Sequence, residues 1–289
     1  MTEIKTLIPD IYLLLNRKDG WFDDRLATTL SQDITDRLRT HFGQEQRTAP
    51  TLRLSQMGPR CPRALWYSIH RPETAEMLPA WATIKYAYGH VIEALVVALA
   101  KAAGHEVCGE QDEVWVDGIR GHRDCIIDGN IVDVKSTTTM GFSKFRDGSI
   151  KNSDNFGYLD QLDGYLVGSA NDELVRNKDS AFLLAVDKQL GHMCLYEHQG
   201  REDSIRHRVA ETKGIIALDT PPLCTCRTQP DGKSGNIRLD TKASYSAYKF
   251  SCFPQLRTFL YSDGPRYLTK VERKPDVPEI DKNGKVIYN

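Results

Sequence analysis

The chain has no excess of charge of either sign: 38 lysines and arginines stand against 39 aspartates and glutamates, for a net charge of −1. That balance excludes a global attraction to polyanions, so any nucleic-acid surface has to be a local patch. There is no run of eighteen or more apolar residues and no signal-peptide pattern at the start, so a cytosolic protein without a membrane partner is expected. Cysteine is sparse, with seven residues at positions 61, 108, 125, 194, 224, 226 and 252. They are too few and too scattered for a secreted disulfide framework; reduced thiols, some of them metal ligands, fit better. Internal repeats are also missing. What remains is an ordinary globular composition, 40% hydrophobic and 27% charged, in a chain of 289 residues. That length can bury a large core as one domain, or as one domain with a smaller appendage.

The most informative stretch is 121–136, GHRDCIIDGNIVDVKS. Two short strands joined by a tight turn at Asp128-Gly129-Asn130 are expected, because β-rich residues flank a turn signal. Strand alternation then puts Asp133 and Lys135 on one face and Val132 and Val134 on the other, with His122 and Asp124 sharing a face of the preceding strand. If the polar faces coincide, Asp124, Asp133 and Lys135 converge as a site for a hard divalent cation and a phosphate. The alternative is a hairpin whose charged face simply meets water.

Around this stretch the chain alternates helices and strands. Residues 1–50 carry helical spacing at Ile8, Ile11, Tyr12 and Leu15, and again at Leu30, Ile34, Leu38 and Phe42, followed by a polar connection over 43–48. No chemistry is legible in this arm. Pro62 suits the first turn of a helix carrying Ala64, Leu65, Trp66 and Tyr67. Cys61, between Arg60 and Arg63, is either a thiolate in a positive setting or a small buried residue. Arg53, Arg60 and Arg63 form either a phosphate-binding edge or a solvated face. A strongly apolar helix runs from about 81 to 103, and its Glu93 needs a partner, a metal or water, because an unpaired buried carboxylate is costly. His90 is its neighbour on the helix surface. Residues 136–148 read as a mobile connection, 155–168 as a helix with Gln161 and Tyr165 on one face, 180–187 as a buried strand with 193–197 as an edge partner, and 201–213 as a polar helix. From 218 onward an irregular appendage is expected rather than more sheet, and after Tyr267 an extended, partly mobile tail.

Six segments in this order, SQMGPRCPRALWY, the helix with GHVIE, the GHRD strand, the DVK strand, the YLDQLDGY helix and a late cysteine region, resemble the PD-(D/E)xK nuclease superfamily. The likeness is to its RecB-like exonuclease branch, which includes CRISPR-adaptation exonucleases and phage recombination nucleases, and it spans roughly residues 52–265. The resemblance implies an α/β, restriction-endonuclease-like core over 51–215, with a central mixed sheet flanked by helices. It adds a helical N-terminal arm over 1–50, a small cysteine-containing appendage over 216–265 packing back on the Cys61 segment, and a tail over 266–289. It implies that Glu93, Asp124, Asp133 and the Val134 carbonyl hold Mg²⁺ or Mn²⁺, that Asp124, Asp133 and Lys135 are catalytic, and that Gln161 and Tyr165 border the DNA path. His122 would support Asp124, and His90 would compete with Glu93 as ligand.

The implied function is a metal-dependent DNA exonuclease acting on ends or single strands in recombination or repair, of phage or bacterial type, working with a helicase or a single-strand annealing protein. A catalytically weak DNA-end-binding subunit and a structural iron–sulfur or zinc protein are the alternatives. Relatives carry an iron–sulfur cluster held by one early and three late cysteines. Here Cys61 and Cys252 fall at the first and last positions, but Ala243 and Ser246 occupy the two between. Either no cluster binds, or Cys224 and Cys226 complete a set of four with Cys61 and Cys252; structural zinc is the further option.

Overall fold

The computed structural model describes residues 3–43, 50–77 and 80–287. The expected connection over 44–48 lies outside them. The described chain divides into two compact units, one made of 3–43, Arg53–Gly58 and Ala80–Val209, the other of 50–52, 59–77 and 210–287.

The first unit opens with helices α1 (Leu7–Leu15) and α2 (Asp24–Phe42); α3 (Pro62–His70) belongs to the second unit, and α4 spans Ala80–Ala102. Strands β1 (Val107–Cys108), β2 (Glu113–Val116), β3 (Ile119–His122), β4 (Cys125–Ile127) and β5 (Asn130–Thr137) follow. Then come α5 (Thr139–Arg146), α6 (Ile150–Ser153), α7 (Tyr158–Gly168), β6 (Ser180–Asp187), β7 (Met193–Gln199) and α8 (Glu202–Ile216), the last divided between the units after Val209. The central sheet has the order β1-β4-β5-β6-β7. It is mixed: β5 and β6 run parallel while the other pairs are antiparallel. A parallel pair needs a crossover, and α5, α6 and α7 supply it. β6 is buried along its whole length, as the apolar run SAFLLAV requires of a central strand.

The β4–β5 hairpin pairs Ile127 with Asn130. Its two loop residues, Asp128 and Gly129, both have positive φ, 50° and 77°, as the tight turn matching strand twist demands. One sheet face is closed by α1 and α4: Leu7, Ile11 and Leu14 meet Val96, Val97, Leu99 and Ala100 over Val132, Val134, Phe182 and Leu184. This corrects the expected register of α1. Ile11 and its neighbours a turn away are buried, whereas Tyr12 and Leu15 are exposed. α4 is long and apolar enough to cross a membrane by length and composition, and here its apolar residues cover the sheet.

Two further expectations fail for physical reasons. Residues 136–148 are not a mobile connection: Thr138 caps α5 by accepting from the Gly141 N–H, and Phe142 and Phe145, three apart, are both buried. Nor is the region after 218 devoid of sheet, or the stretch after Tyr267 a loose tail. In the second unit, β8 (Thr228–Pro230), β9 (Ile237–Leu239), β10 (Arg257–Tyr261), β11 (Gly264–Lys270) and β12 (Glu279–Ile280) form an antiparallel sheet in the order β12-β10-β11-β9-β8. Several of these strands are two or three residues long, too short for an alternating pattern to register. The short helices α9 (Thr241–Ser244) and α10 (Lys249–Cys252) lie between β9 and β10. Leu239, Ala243 and Leu256 form their own small core, joined by Phe250, Phe253 and Tyr267.

Candidate functional site

The site grows from the second half of β5. Val132 and Val134 point into the core, so alternation turns Asp133 and Lys135 the other way. Asp133 is 1% exposed; its Oδ2 lies against the Lys135 ammonium, and its Oδ1 has no partner among the described residues. Burial opposes charge on Lys135, but Asp133 and Asp124 outweigh it and hold the ammonium well above the usual lysine range.

Asp124 reaches the same place by a different route. It precedes β4, whose pairing with β5 ends at Cys125 opposite Val132. The backbone of Val134 on that edge is therefore free of a strand partner, and its N–H donates to Asp124 Oδ2 at 2.8 Å. Because N–H and C=O of one strand residue point to the same edge, the Val134 carbonyl opens beside Asp124 as well. Burial, then Asp133 and Glu93, push the Asp124 carboxyl well above the carboxylate range.

Glu93 comes from α4 and is held through one oxygen. Its Oε1 accepts from Arg37 Nη1 at 2.6 Å and from Gln111 Nε2 at 2.7 Å. Burial raises its pKa and Arg37 works against that rise. Arg37 sits on α2, the arm in which the sequence showed no chemistry. The signal available was Asp33 and Arg37 spaced four apart, and the two do pair at 2.8 Å. Gln111 bridges the set: its backbone N–H donates to the Asp124 carbonyl at 3.1 Å while its side chain holds Glu93. It adopts φ 58° in a turn, and nothing in the sequence marks it.

Of the remaining expected residues, Tyr165 is 2% exposed and its hydroxyl accepts from Gln161 Nε2. Of that pair Gln161 is half-buried, whereas Tyr165 is enclosed. Tyr158, missed in the sequence, lies with its ring centroid 5.0 Å from the Lys135 nitrogen. His122 is not on a strand with Asp124. It ends β3 in the separate β2–β3 hairpin, is exposed, and faces Gln111 and Glu113. His90 packs its ring 5.1 Å from that of His41. Arg63 donates to the Pro222 carbonyl at 2.6 Å and is spent within the second unit.

In the second unit, Cys61, Cys224, Cys226 and Cys252 come together, one ligand atom each, all within 4.8 Å of one another. This spacing does not suit a four-iron cluster. There the thiolates radiate from the corners of a cube and their sulfurs stand roughly 6 Å or more apart. Ala243, at one of the implied ligand positions, lies in the small apolar core.

No family model and no curated protein matches the chain. Among solved structures it is similar to a phage-related exonuclease from Haemophilus somnus 129PT, at 15% identity and a TM-score of 0.42, over 58% of this chain and 94% of that one. It is also similar to an alkaline exonuclease from Laribacter hongkongensis, at 11% identity and a TM-score of 0.36, over 58% and 87%. A third similarity is to SSO0001, at 14% identity and a TM-score of 0.40, over 80% and 96%.

Proposed function

We propose that this chain is a cytosolic, metal-dependent deoxyribonuclease that hydrolyses phosphodiester bonds at DNA ends during recombination or repair. The observation that carries the reading is the convergence of Glu93, Asp124 and Asp133 beside the Lys135 ammonium, with Asp133 buried, its Oδ2 against that ammonium and its Oδ1 without a donor among the described residues. Three mutually repelling carboxylates, two of them buried, fit a hard divalent cation, and an all-oxygen donor set favours Mg²⁺ or Mn²⁺. Glu93, Asp124, Asp133 and the Val134 carbonyl would hold it. When bound, such an ion supplies Lewis-acid charge to phosphoryl oxygens and acidifies a water.

The protein's own groups do the rest. Lys135, kept charged by Asp133 and Asp124, donates to a non-bridging phosphate oxygen as negative charge builds there. Asp133 and the Tyr158 ring fix where that ammonium points. Gln161, anchored on the buried Tyr165 hydroxyl, keeps its second N–H and its carbonyl for the strand being cut. Contacts of this kind read backbone rather than bases, so low sequence specificity is expected. The near-neutral net charge favours local engagement of an end or a single strand over a grip on long duplex.

The test is degradation of end-labelled single- and double-stranded DNA with Mg²⁺ or Mn²⁺, comparing the protein with Asp133→Ala and Lys135→Ala. Metal-dependent cleavage should fall by about a hundredfold or more in each variant. Undiminished cleavage by Asp133→Ala rules the assignment out, and retained DNA binding without cleavage by the unaltered protein would mark an end-binding subunit instead.

A further inference from the structure

We propose that Cys61, Cys224, Cys226 and Cys252 bind one tetrahedral zinc ion, as a structural clasp, in place of the iron–sulfur cluster that the cysteine positions first suggest. The argument begins with size. Four thiolates around a single zinc, at about 2.3 Å each, place their sulfurs about 3.8 Å apart. The Cys61 and Cys224 sulfurs are 3.8 Å apart, and all four ligand atoms fall within 4.8 Å of one another. A Cys-x-Cys pair such as 224 and 226 is an awkward bite for a cubane, but two of its sulfurs can meet at a single ion. All seven cysteines are free thiols, so none of the four is already committed to a disulfide.

The surroundings fit a charged tetrathiolate. The Thr225 N–H donates to the Cys61 sulfur at 3.4 Å, the kind of outer contact that orients a metal ligand. Cys61 is also the residue that caps the nine-residue helix α3, whose first-turn amides favour negative charge. Four thiolates on Zn²⁺ leave a net charge of two minus. Lys242 lies within electrostatic reach of Cys226 and of Arg60 and Arg227, with Asp240 beside it, so cations stand near where that charge would sit.

The clasp has something to hold. Residues 217–227 have no helix or strand, yet their backbone polar groups need partners. Side chains of the Cys61 helix provide two of them, Arg63 donating to the Pro222 carbonyl and Trp66 Nε1 to the Leu218 carbonyl at 2.7 Å, and His70 Nε2 bonds the carbonyl of Ile216, just before the segment, at 2.7 Å. A metal ion at the Cys61 end ties this irregular segment to the helix and closes a loop of more than 160 residues, from Cys61 to Cys224.

The proposal does not rest on the nuclease reading, and its test does not use activity. The full chain is expressed in medium containing both iron and zinc, purified without chelator under nitrogen, and assayed for metals by mass spectrometry, for acid-labile sulfide and by visible absorption. About one zinc per chain is expected, without sulfide and without a broad band near about 400 nm. Titration with a mercurial reagent should release that zinc as thiols are blocked. Cys226→Ser should lower zinc content at least severalfold, while Cys108→Ser, outside the group, should not. Iron with matching sulfide overturns the proposal, as does a metal-free protein or a Cys61–Cys224 disulfide. Should Cys226→Ser fail to fold, the metal content of the unaltered chain still decides.

Discussion

Replacing Arg37 with alanine isolates the contribution that the N-terminal arm makes to the site. The guanidinium meets Glu93 at 2.6 Å, with side-chain exposures of 11% and 12%. Removing one partner of so enclosed a pair leaves a carboxylate buried with Gln111 as its remaining donor, a change that costs about 3 kcal/mol near neutral pH. The loss of the second contact, to the more exposed Asp33, adds little. The pH dependence follows from Glu93. Its folded-state pKa is raised by burial and pulled down by Arg37, so deleting Arg37 lifts it further above the unfolded value. A carboxyl shifted upward binds its proton more tightly in the folded chain, so the variant's deficit is full above the folded pKa and fades as pH falls through it. Urea denaturation near pH 7 and near pH 5 should therefore show a large deficit shrinking toward acid, by linkage. Added Mg²⁺ should restore part of the stability at neutral pH, because an ion that binds only the folded chain stabilises it by mass action. A variant within about 0.5 kcal/mol of the unaltered protein at both pH values would refute the claim that Glu93 is a buried charge held by Arg37.

Tyr165→Phe removes only the hydroxyl that anchors Gln161. If the tyrosine acts by positioning, cleavage should drop by less than about tenfold with KM rising more than kcat falls, whereas a hundredfold loss in kcat would mean that it touches the reacting strand. Gly157→Ala should destabilise by more than about 2 kcal/mol in thermal unfolding, from overpacking. Its φ is 77°, and a Cβ there would sit 2.3 Å from the Gly58 Cα; near-neutral behaviour would mean that this close backbone approach is not real. Asp163→Asn should cost about 2–4 kcal/mol by chemical denaturation, because its buried carboxylate takes hydrogen bonds from His198 and Arg201 and an amide would oppose those donors. A change under about 1 kcal/mol would refute that account.

The sequence pointed to the site wherever residue type and strand period acted together. Asp133 and Lys135 could be placed because alternation along IVDVK leaves no choice about which side meets the core. The hairpin turn could be placed because Asp-Gly supplies both positive φ values. What escaped were contacts between residues far apart in the chain: Arg37 lies 56 positions from the glutamate it holds. Gln111 sits in a turn whose geometry no local pattern announces. His122 and Asp124 were misplaced together because a hairpin end and a strand start, two residues apart, look like one strand when only alternation is counted. The second unit's sheet escaped because its strands are too short for periodicity, and its gathering of four thiols because spacing in sequence says little about sulfur-to-sulfur distance.

The contrast between two aspartates in the same unit supports reading the acidic group as a cation site rather than as a structural ion-pair network. Asp163 is fully buried and saturated: one oxygen accepts from His198 Nε2 and the Arg201 N–H, the other from the Arg201 guanidinium twice. That is how a buried carboxylate looks when its task is to hold the fold. The three acids around Lys135 are arranged otherwise. Asp124 is oriented through Oδ2 by Val134, Glu93 through Oε1 by Arg37 and Gln111, and Asp133 through its ion pair with Lys135. Among the described residues, Asp124 Oδ1, Glu93 Oε2 and Asp133 Oδ1 accept no hydrogen bond. Burying the Asp133 carboxylate with an oxygen unsatisfied costs stability, and three carboxylates at one place repel one another. Other buried polar atoms of the described residues are also left without a partner, Asp187 Oδ2 among them, but around Lys135 three acids meet, and the ligand that would offset three carboxylates at once is a small, doubly charged cation.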